Sequence, residues 1–366
     1  MPSEEKLISL LSRVELKDNA LDQISSLFKE NLDWHYLLKK SGEEGVSCLI
    51  YQHLRNSPFQ DYLPPDILES FKNIYYTNAR RNAFIYEETK KVLGVLAAEK
   101  IKTITLKGFF LAENIYQNIA LRPMSDIDIL IKKEDVTRAM QILNSLGYST
   151  DGDYEKVLRR PFSYSLTFFA KNHDEDHFLS IDLHWHFLSA TWLMGFLLKR
   201  IDMERIWAQA EPAKIEDVDT LTLSPQHLLL YLAQHGFAHS FQKLIMLTDI
   251  RGTLRCYQDR LVWDEVKEEA EKFRLSNVLS YSLYLTFKRL GTNLSEADKT
   301  EIWGDKLPKR SFPFWISRCK SPCLTYILLE NGFKDKLKYS VKAIYLLANL
   351  RAERFKKPVS ADNFNP

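Results

Sequence analysis

Six residues constrain this chain more than any others: Asp126-Ile127-Asp128-Ile129-Leu130-Ile131. A continuous run of β-branched and apolar residues predicts a buried strand, here counted from Ser125 to Ile131. Two carboxylates stand two positions apart within it. On a strand, side chains i and i+2 point to the same face, so Asp126 and Asp128 are expected side by side, their Cα atoms about 6–7 Å apart. Like charges on an apolar strand repel one another and lose hydration, and both effects oppose ionisation. A divalent cation reverses that penalty, and Mg2+ prefers carboxylate and phosphate oxygens in an octahedral shell. Asp-x-Asp at an exposed strand start is also common without metal, so the pair needs support from elsewhere in the chain.

The chain has 366 residues, enough for two or three domains. Its hydrophobic fraction of 45% and charged fraction of 27% exclude a low-complexity or fibrous class. A net charge of +2 points to no acidic partner. Of four cysteines, Cys319 and Cys323 form a C-x3-C with no matching pair, and Cys48 and Cys256 stand alone. That pattern disfavours both a zinc site and a disulfide framework, and leaves inert thiols as the expectation. The first residues lack a basic region followed by an apolar core, and no apolar run reaches about 18 residues. A cytoplasmic protein with no membrane insertion is the expectation.

Periodicity predicts helices up to about residue 80, with Leu7, Leu10, Leu11 and Val14 on one face. Pro64-Pro65 punctuates this region, and a long helix is expected from Asp66 to Lys100, with room for one break. A β-like run follows at Ile101–Leu106, a helix at Phe109–Tyr116, and another at Lys133–Leu146 ended by Gly147. Phe162–Phe169 and Phe178–Trp185 read as strands of a hairpin, joined by the polar Lys171–Asp176. From Thr191 the chain reads as helical again. Ser224-Pro225 suits an N-cap and first helical residue, and further helices are expected near 263–273, 275–290, 322–331 and 335–351. The order predicts an α+β fold: a small mixed-sheet core flanked by N- and C-terminal helical regions. The divisions are a helical region at 1–84, the core at 85–190, a helical domain at 191–355 and a polar tail at 356–366.

A second informative stretch is Ile181-Asp182-Leu183-His184-Trp185-His186. On a strand, Asp182, His184 and His186 share one face, and Asp182 is placed to complete a three-carboxylate cluster. One Asp with His-x-His is a weak zinc signal, so a structural or supporting role is favoured for both histidines. Lys107-Gly108 falls between a strand and a helix, where Gly admits close approach of a ligand and helix amides attract phosphate. It is not a Gly-x4-Gly-Lys phosphate loop. Arg122 either clasps phosphate oxygens or offsets Asp126. At 100° per residue, His235, His239, Gln242, Lys243 and Asp249 span about a third of one helix, if Gly236 does not break it. That stripe is either a solvated face or one that lays Lys243 over a triphosphate from a second domain. Residues 308–357 hold 12 Lys or Arg against three acids. A solvated basic surface is favoured there over a nucleic-acid site.

Taken together, Leu106-Lys107-Gly108, then Leu121-Arg122-Pro123-Met124-Ser125-Asp126-Ile127-Asp128, then Asp182-Leu183-His184-Trp185 resemble the uncharacterised nucleotidyltransferase family. That family belongs to the DNA polymerase β-like nucleotidyltransferase superfamily. The resemblance is best over about 85–190 and weaker over 225–255, where His235, Lys243 and Asp249 lie. It implies that Asp126 and Asp128 hold two Mg2+ ions with a nucleoside triphosphate. Asp182 would bind the ion nearer the acceptor and help deprotonate the acceptor hydroxyl. Lys107, Gly108, Arg122, Ser125 and Lys243 are the implied nucleotide contacts, and catalysis is expected to rest on positioning and charge neutralisation. The implied reaction moves a nucleoside monophosphate to a hydroxyl on a small molecule, a protein or RNA. Two alternatives stand beside it: a catalytically degenerate nucleotide-binding or protein-interaction member, and a toxin-like enzyme that modifies RNA, which the basic C-terminal stretch would suit. In one respect the chain departs from the superfamily. Phe109 follows Gly108 where Gly or Ser is usual, so no hydroxyl is available in that turn.

Overall fold

The computed structural model describes residues 2–16, 18–55, 57–150, 164–170, 179–188 and 201–290. Four helices come first: α1 (Ser3–Leu11), α2 (Asp18–Phe28), α3 (Trp34–Glu43) and α4 (Ser47–Leu54). Asp33 caps α3 by accepting the Tyr36 N–H at 2.9 Å. Pro65 opens α5 (Pro65–Ala98), where its missing N–H costs nothing. The break allowed for in this helix does not occur. Its 34 residues run unbroken because Ile67, Phe71, Tyr75, Asn82, Ile85, Thr89, Val92 and Leu96 keep a buried row at helical spacing. The first part of that row packs on α4.

The second part packs on the sheet. Its strands are β1 (Thr103–Thr105), β2 (Asp126–Ile131), β3 (Tyr148–Ser149), β4 (Ser165–Ala170), β5 (Ser180–His184), β6 (Glu211–Ile215) and β7 (Val218–Thr222). They lie in the order β3-β4-β5-β2-β1-β7-β6. β2 runs antiparallel to β1 and parallel to β5, while β4 and β5 are antiparallel, as a hairpin requires. α6 (Phe109–Asn114) links β1 toward β2, α7 (Val136–Ser145) follows a 3-10 turn after β2, and α8 (Met203–Ala208) precedes β6. The expected α+β class, a mixed sheet between helices, is what the chain forms.

One reading needs correction. The chain is not helical throughout beyond Thr191, because β6 and β7 form a hairpin whose second strand joins β1 in parallel. Its alternation is half exposed and rich in charge, and Pro212 is tolerated because β6 is an edge strand. A strand of that composition acquires its identity from the edge it pairs with.

Beyond the sheet lie α9 (Pro225–Ala238), α10 (Leu244–Cys256), α11 (Trp263–Lys272) and α12 (Ser276–Arg289). Ser224 caps α9 with Pro225 at its first position, as the dipeptide predicts. The stripe from His235 to Asp249 does not lie on one helix. α9 ends at Ala238, and Ser240 and Phe241 take φ of 54° and 47° before α10 begins. Gly236 does not cause the break. It makes room for the returning chain: a Cβ there would lie 2.4 Å from Cε1 of Phe241.

α10 comes close to the end of α6 at Gly252, where a Cβ would lie 2.5 Å from Ile115 Cγ2. Both positions are buried. Gly252→Ala is therefore expected to cost about 1–3 kcal/mol through overpacking. Urea unfolding measures it, and an unchanged midpoint would contradict the close approach.

Cys48 is buried and Cys256 exposed, and both are free thiols. Burial pushes the Cys48 thiol up to about 12, as befits an inert side chain. Among the described residues, no helix is long and apolar enough to cross a membrane. Cys319, Cys323, the basic stretch 308–357, the helices expected at 322–351, the linker 171–176 and the tail lie outside the described residues.

Candidate active site

The acidic strand is reached through a loop that α5 holds by its carbonyls. Asn78 Nδ2 donates to Ala120 O at 2.7 Å, Asn82 Nδ2 to Arg122 O at 2.8 Å, and Arg81 Nε to Met124 O at 3.2 Å. A loop this close to the core needs such partners for its backbone. It delivers Asp126 to the first position of β2.

Register then assembles the cluster. In the parallel β2–β5 pair Asp128 lies opposite Asp182, and Leu130 opposite His184. Asp126, Asp128, Asp182 and His184 therefore share one face of the sheet. From β4, Thr167 Oγ1 donates to Asp182 Oδ1 at 2.6 Å. His184 Nε2 lies 3.4 Å from Asp128 Oδ1. Lys107, two residues beyond β1, places Nζ 2.6 Å from Asp128 Oδ2 and 3.2 Å from Asp126 Oδ2. Ser125, exposed, donates its hydroxyl to Asp126 Oδ1 at 3.3 Å. Gly108 follows with φ of 63° and ψ of −114°, a backbone that only glycine adopts easily. Phe109 turns into the core, with its carbonyl accepting from the Tyr86 hydroxyl at 2.9 Å.

The carboxylates are not equivalent. Burial would raise the Asp128 pKa, but Lys107 and His184 outweigh it and hold the group well below the usual carboxylate range. Burial likewise opposes the charge on Lys107, and Asp128 and Asp126 overcome it. Among the described residues, no cation forms an ion pair with Asp182. Burial, with Asp128 adding to it, raises its pKa despite the Thr167 hydrogen bond. An additional positive charge is therefore favourable beside Asp182. Asp128, Asp182 and His184 each offer a ligand atom, all within 4.8 Å of one another, and are the group of described residues that could hold a metal ion. His184, expected in a supporting role, belongs to that group, and Asp126 does not. Two carboxylates and an imidazole suit a divalent ion from Mg2+ to the imidazole-tolerant transition metals.

Arg122 is buried and bidentate with Asp249 of α10: Nε to Oδ1 and Nη2 to Oδ2 are both 2.9 Å. The Tyr116 hydroxyl donates to the same Oδ1 at 2.7 Å. The pairing joins residues 127 apart in sequence, a distance at which no local pattern reveals a partner. Lys243 is exposed at the N-cap position of α10 and has no ion-pair partner among the described residues. Nearer the cluster, α9 and its C-cap present Tyr231, His235 and His239 four residues apart; the first two rings stack at 6.0 Å and the last two meet tilted at 4.6 Å. Burial, then Lys107, lowers the pKa of both histidines, and burial with the three aspartates raises that of Tyr231. This row of α9 therefore borders the cluster. The spacing of His235 and His239 was legible in the sequence; Tyr231 one turn earlier completes it.

Carboxylates converging on adjacent parallel strands of a mixed sheet make a site that could hold a metal ion. The chain belongs to the uncharacterised nucleotidyltransferase family, whose sequence model matches residues 30–291. That span takes in the seven strands and helices α3 to α12, and leaves out α1 and α2. Family membership supports nucleotidyltransferase activity and a nucleoside triphosphate substrate. Comparison with curated proteins finds no match.

Proposed function

We propose that this protein transfers a nucleoside monophosphate from a triphosphate to a hydroxyl acceptor, with Mg2+ as the physiological ion. The observation that carries the reading is the register Asp128↔Asp182, which sets two carboxylates and His184 around one point beside Asp126 and Lys107. Asp128, Asp182 and His184 would hold the ion. When bound, a divalent ion supplies Lewis-acid stabilisation of the charge on the transferring phosphoryl group. The resemblance implies two such ions, which Asp126 and Asp128 would hold, with Asp182 on the one nearer the acceptor.

The chain's own residues supply the rest. The raised pKa of Asp182 suits its carboxylate to accept the acceptor hydroxyl's proton. Its Oδ1 is oriented by Thr167, which keeps the group aimed across the sheet face. Lys107 adds positive charge where the phosphates approach, and Gly108 lets them come close to the backbone. Ser125 is exposed beside Asp126 and offers a hydroxyl to the same phosphates. Arg122, locked to Asp249, contributes its charge at a fixed position. Lys243, exposed at the N-cap position of α10, is proposed to reach the triphosphate from the helical side. Positioning and charge neutralisation of this kind suffice for phosphoryl transfer.

Thermal unfolding with and without Mg2+ tests the reading. A triphosphate at one hundred times its Kd stabilises the folded state by about 2.7 kcal/mol, and this is expected only when the divalent ion is present. Equal shifts in both conditions would remove the metal site. Pyrophosphate release, screened over four triphosphates against metabolite and RNA extracts, distinguishes transfer from mere binding. Lys243→Ala is expected to raise the KM for triphosphate without altering the melting temperature.

A further inference from the structure

Two ions bridged by Asp126 and Asp128 would need the gap between those carboxylates. That gap holds the Lys107 ammonium, 2.6 Å from one oxygen and 3.2 Å from the other. An ion bound at about 2.0–2.1 Å from the same oxygens would compete for the volume that Nζ fills. We infer that the site takes a single divalent ion, held by Asp128, Asp182 and His184, and that Lys107 permanently supplies the second positive charge between Asp126 and Asp128. The inference rests on the reading of this cluster as a metal-dependent transfer site.

Three observations support it. Lys107 is not a surface side chain: it is 8% exposed and its ammonium is paired with both carboxylates. Leu106 N donates to Asp128 O at 3.3 Å, and Gly108 turns directly into α6. The other buried cation nearby, Arg122, is committed to Asp249 and cannot take its place. The charge also balances. Asp126, Asp128 and Asp182 against one ammonium leave two negative charges, which one divalent ion closes. Finally, the donor atoms are unevenly distributed. His184 and Asp182 converge with Asp128, whereas Asp126 is paired, among the described residues, with Lys107 and the Ser125 hydroxyl. Lys107 thus acts as a positioning residue for the two carboxylates and as a fixed counter-charge for the phosphates.

Electron paramagnetic resonance of Mn2+ decides the matter. Two ions about 3.5–4 Å apart give an exchange-coupled spectrum, and one ion gives an isolated six-line signal. The full chain is examined with Mn2+ alone and with the α,β-methylene analogues of the four ribonucleoside triphosphates. One bound ion per chain and an isolated signal are expected throughout. Lys107→Arg keeps that result, and Lys107→Met gains a second, coupled ion. Asp126→Asn still binds one ion, whereas Asp182→Asn weakens Mn2+ binding by more than about tenfold. A coupled pair in the unsubstituted protein would overturn the inference and leave the metal-dependent reading standing. No Mn2+ bound under any condition would remove both. A single ion in folded Lys107→Met, or loss of the ion in Asp126→Asn, would remove Lys107 from the role. If Lys107→Met does not fold, the Asp126→Asn measurement alone settles it.

Discussion

Asp182→Asn is expected to leave the protein, measured in chelator, at least as stable as the unsubstituted chain, and to lower the transfer rate by about two orders of magnitude or more. Both halves follow from the environment of one side chain. Burial and the neighbouring Asp128 disfavour the Asp182 charge, so removing that charge relieves a penalty that the fold otherwise carries. Asparagine keeps the size and an oxygen that can still accept from Thr167 Oγ1, so the β4–β5 contact survives. Stability held back at a functional group is a recurrent feature of active sites. Activity behaves in the opposite way: the variant loses an anionic ligand of the Asp128–Asp182–His184 group and the proton acceptor proposed for the acceptor hydroxyl. Melting temperature in chelator and transfer rate per folded molecule, on one preparation, test the two halves together. A variant that melts several degrees earlier yet transfers normally would assign Asp182 to the architecture instead.

Asp249→Ala is expected to do the reverse, costing about 3–5 kcal/mol of stability because it strands a buried guanidinium. Arg122 is 9% exposed and Asp249 3% exposed, and the Tyr116 hydroxyl depends on the same carboxylate. Burial opposes the charge on Arg122, and Asp249 more than compensates, holding the guanidinium pKa above its ordinary value. Removing the acid leaves the burial penalty without its compensation. The double variant Arg122→Met, Asp249→Leu removes both charges and is expected to recover much of the loss, since apolar replacement of a buried pair is often close to neutral. Urea unfolding of the two variants makes the comparison. If Asp249→Ala stays within about 0.5 kcal/mol of the parent, the pair does not hold α10 to the loop before β2.

The sequence by itself determined what depends on neighbours in the chain. The Ile and Leu run around Asp126 and Asp128 makes a buried strand whatever surrounds it, and alternation then puts both carboxylates on one face. Ser224-Pro225 starts α9 because capping is a local hydrogen bond. The Lys-Gly, Arg-Pro-Met-Ser-Asp-x-Asp and Asp-x-His-Trp order was enough to reach the family that the chain belongs to.

Tertiary structure decided what depends on register and on distant partners. Nothing near Asp128 in sequence says that Asp182 lies directly opposite, or that His184 comes within 4.8 Å of both carboxylates. Lys107 was legible as a charge near phosphate, but its seat between two carboxylates follows from the antiparallel pairing of β1 with β2. The β6–β7 hairpin was hidden because an exposed, charged edge strand has little hydrophobic pattern of its own. Arg122 found Asp249 only because α9 stops at Ala238 and a sharp turn reorients α10. Periodicity can be read from one helix at a time, but a buried charge pairs with whatever opposite charge the packing of several elements brings to it.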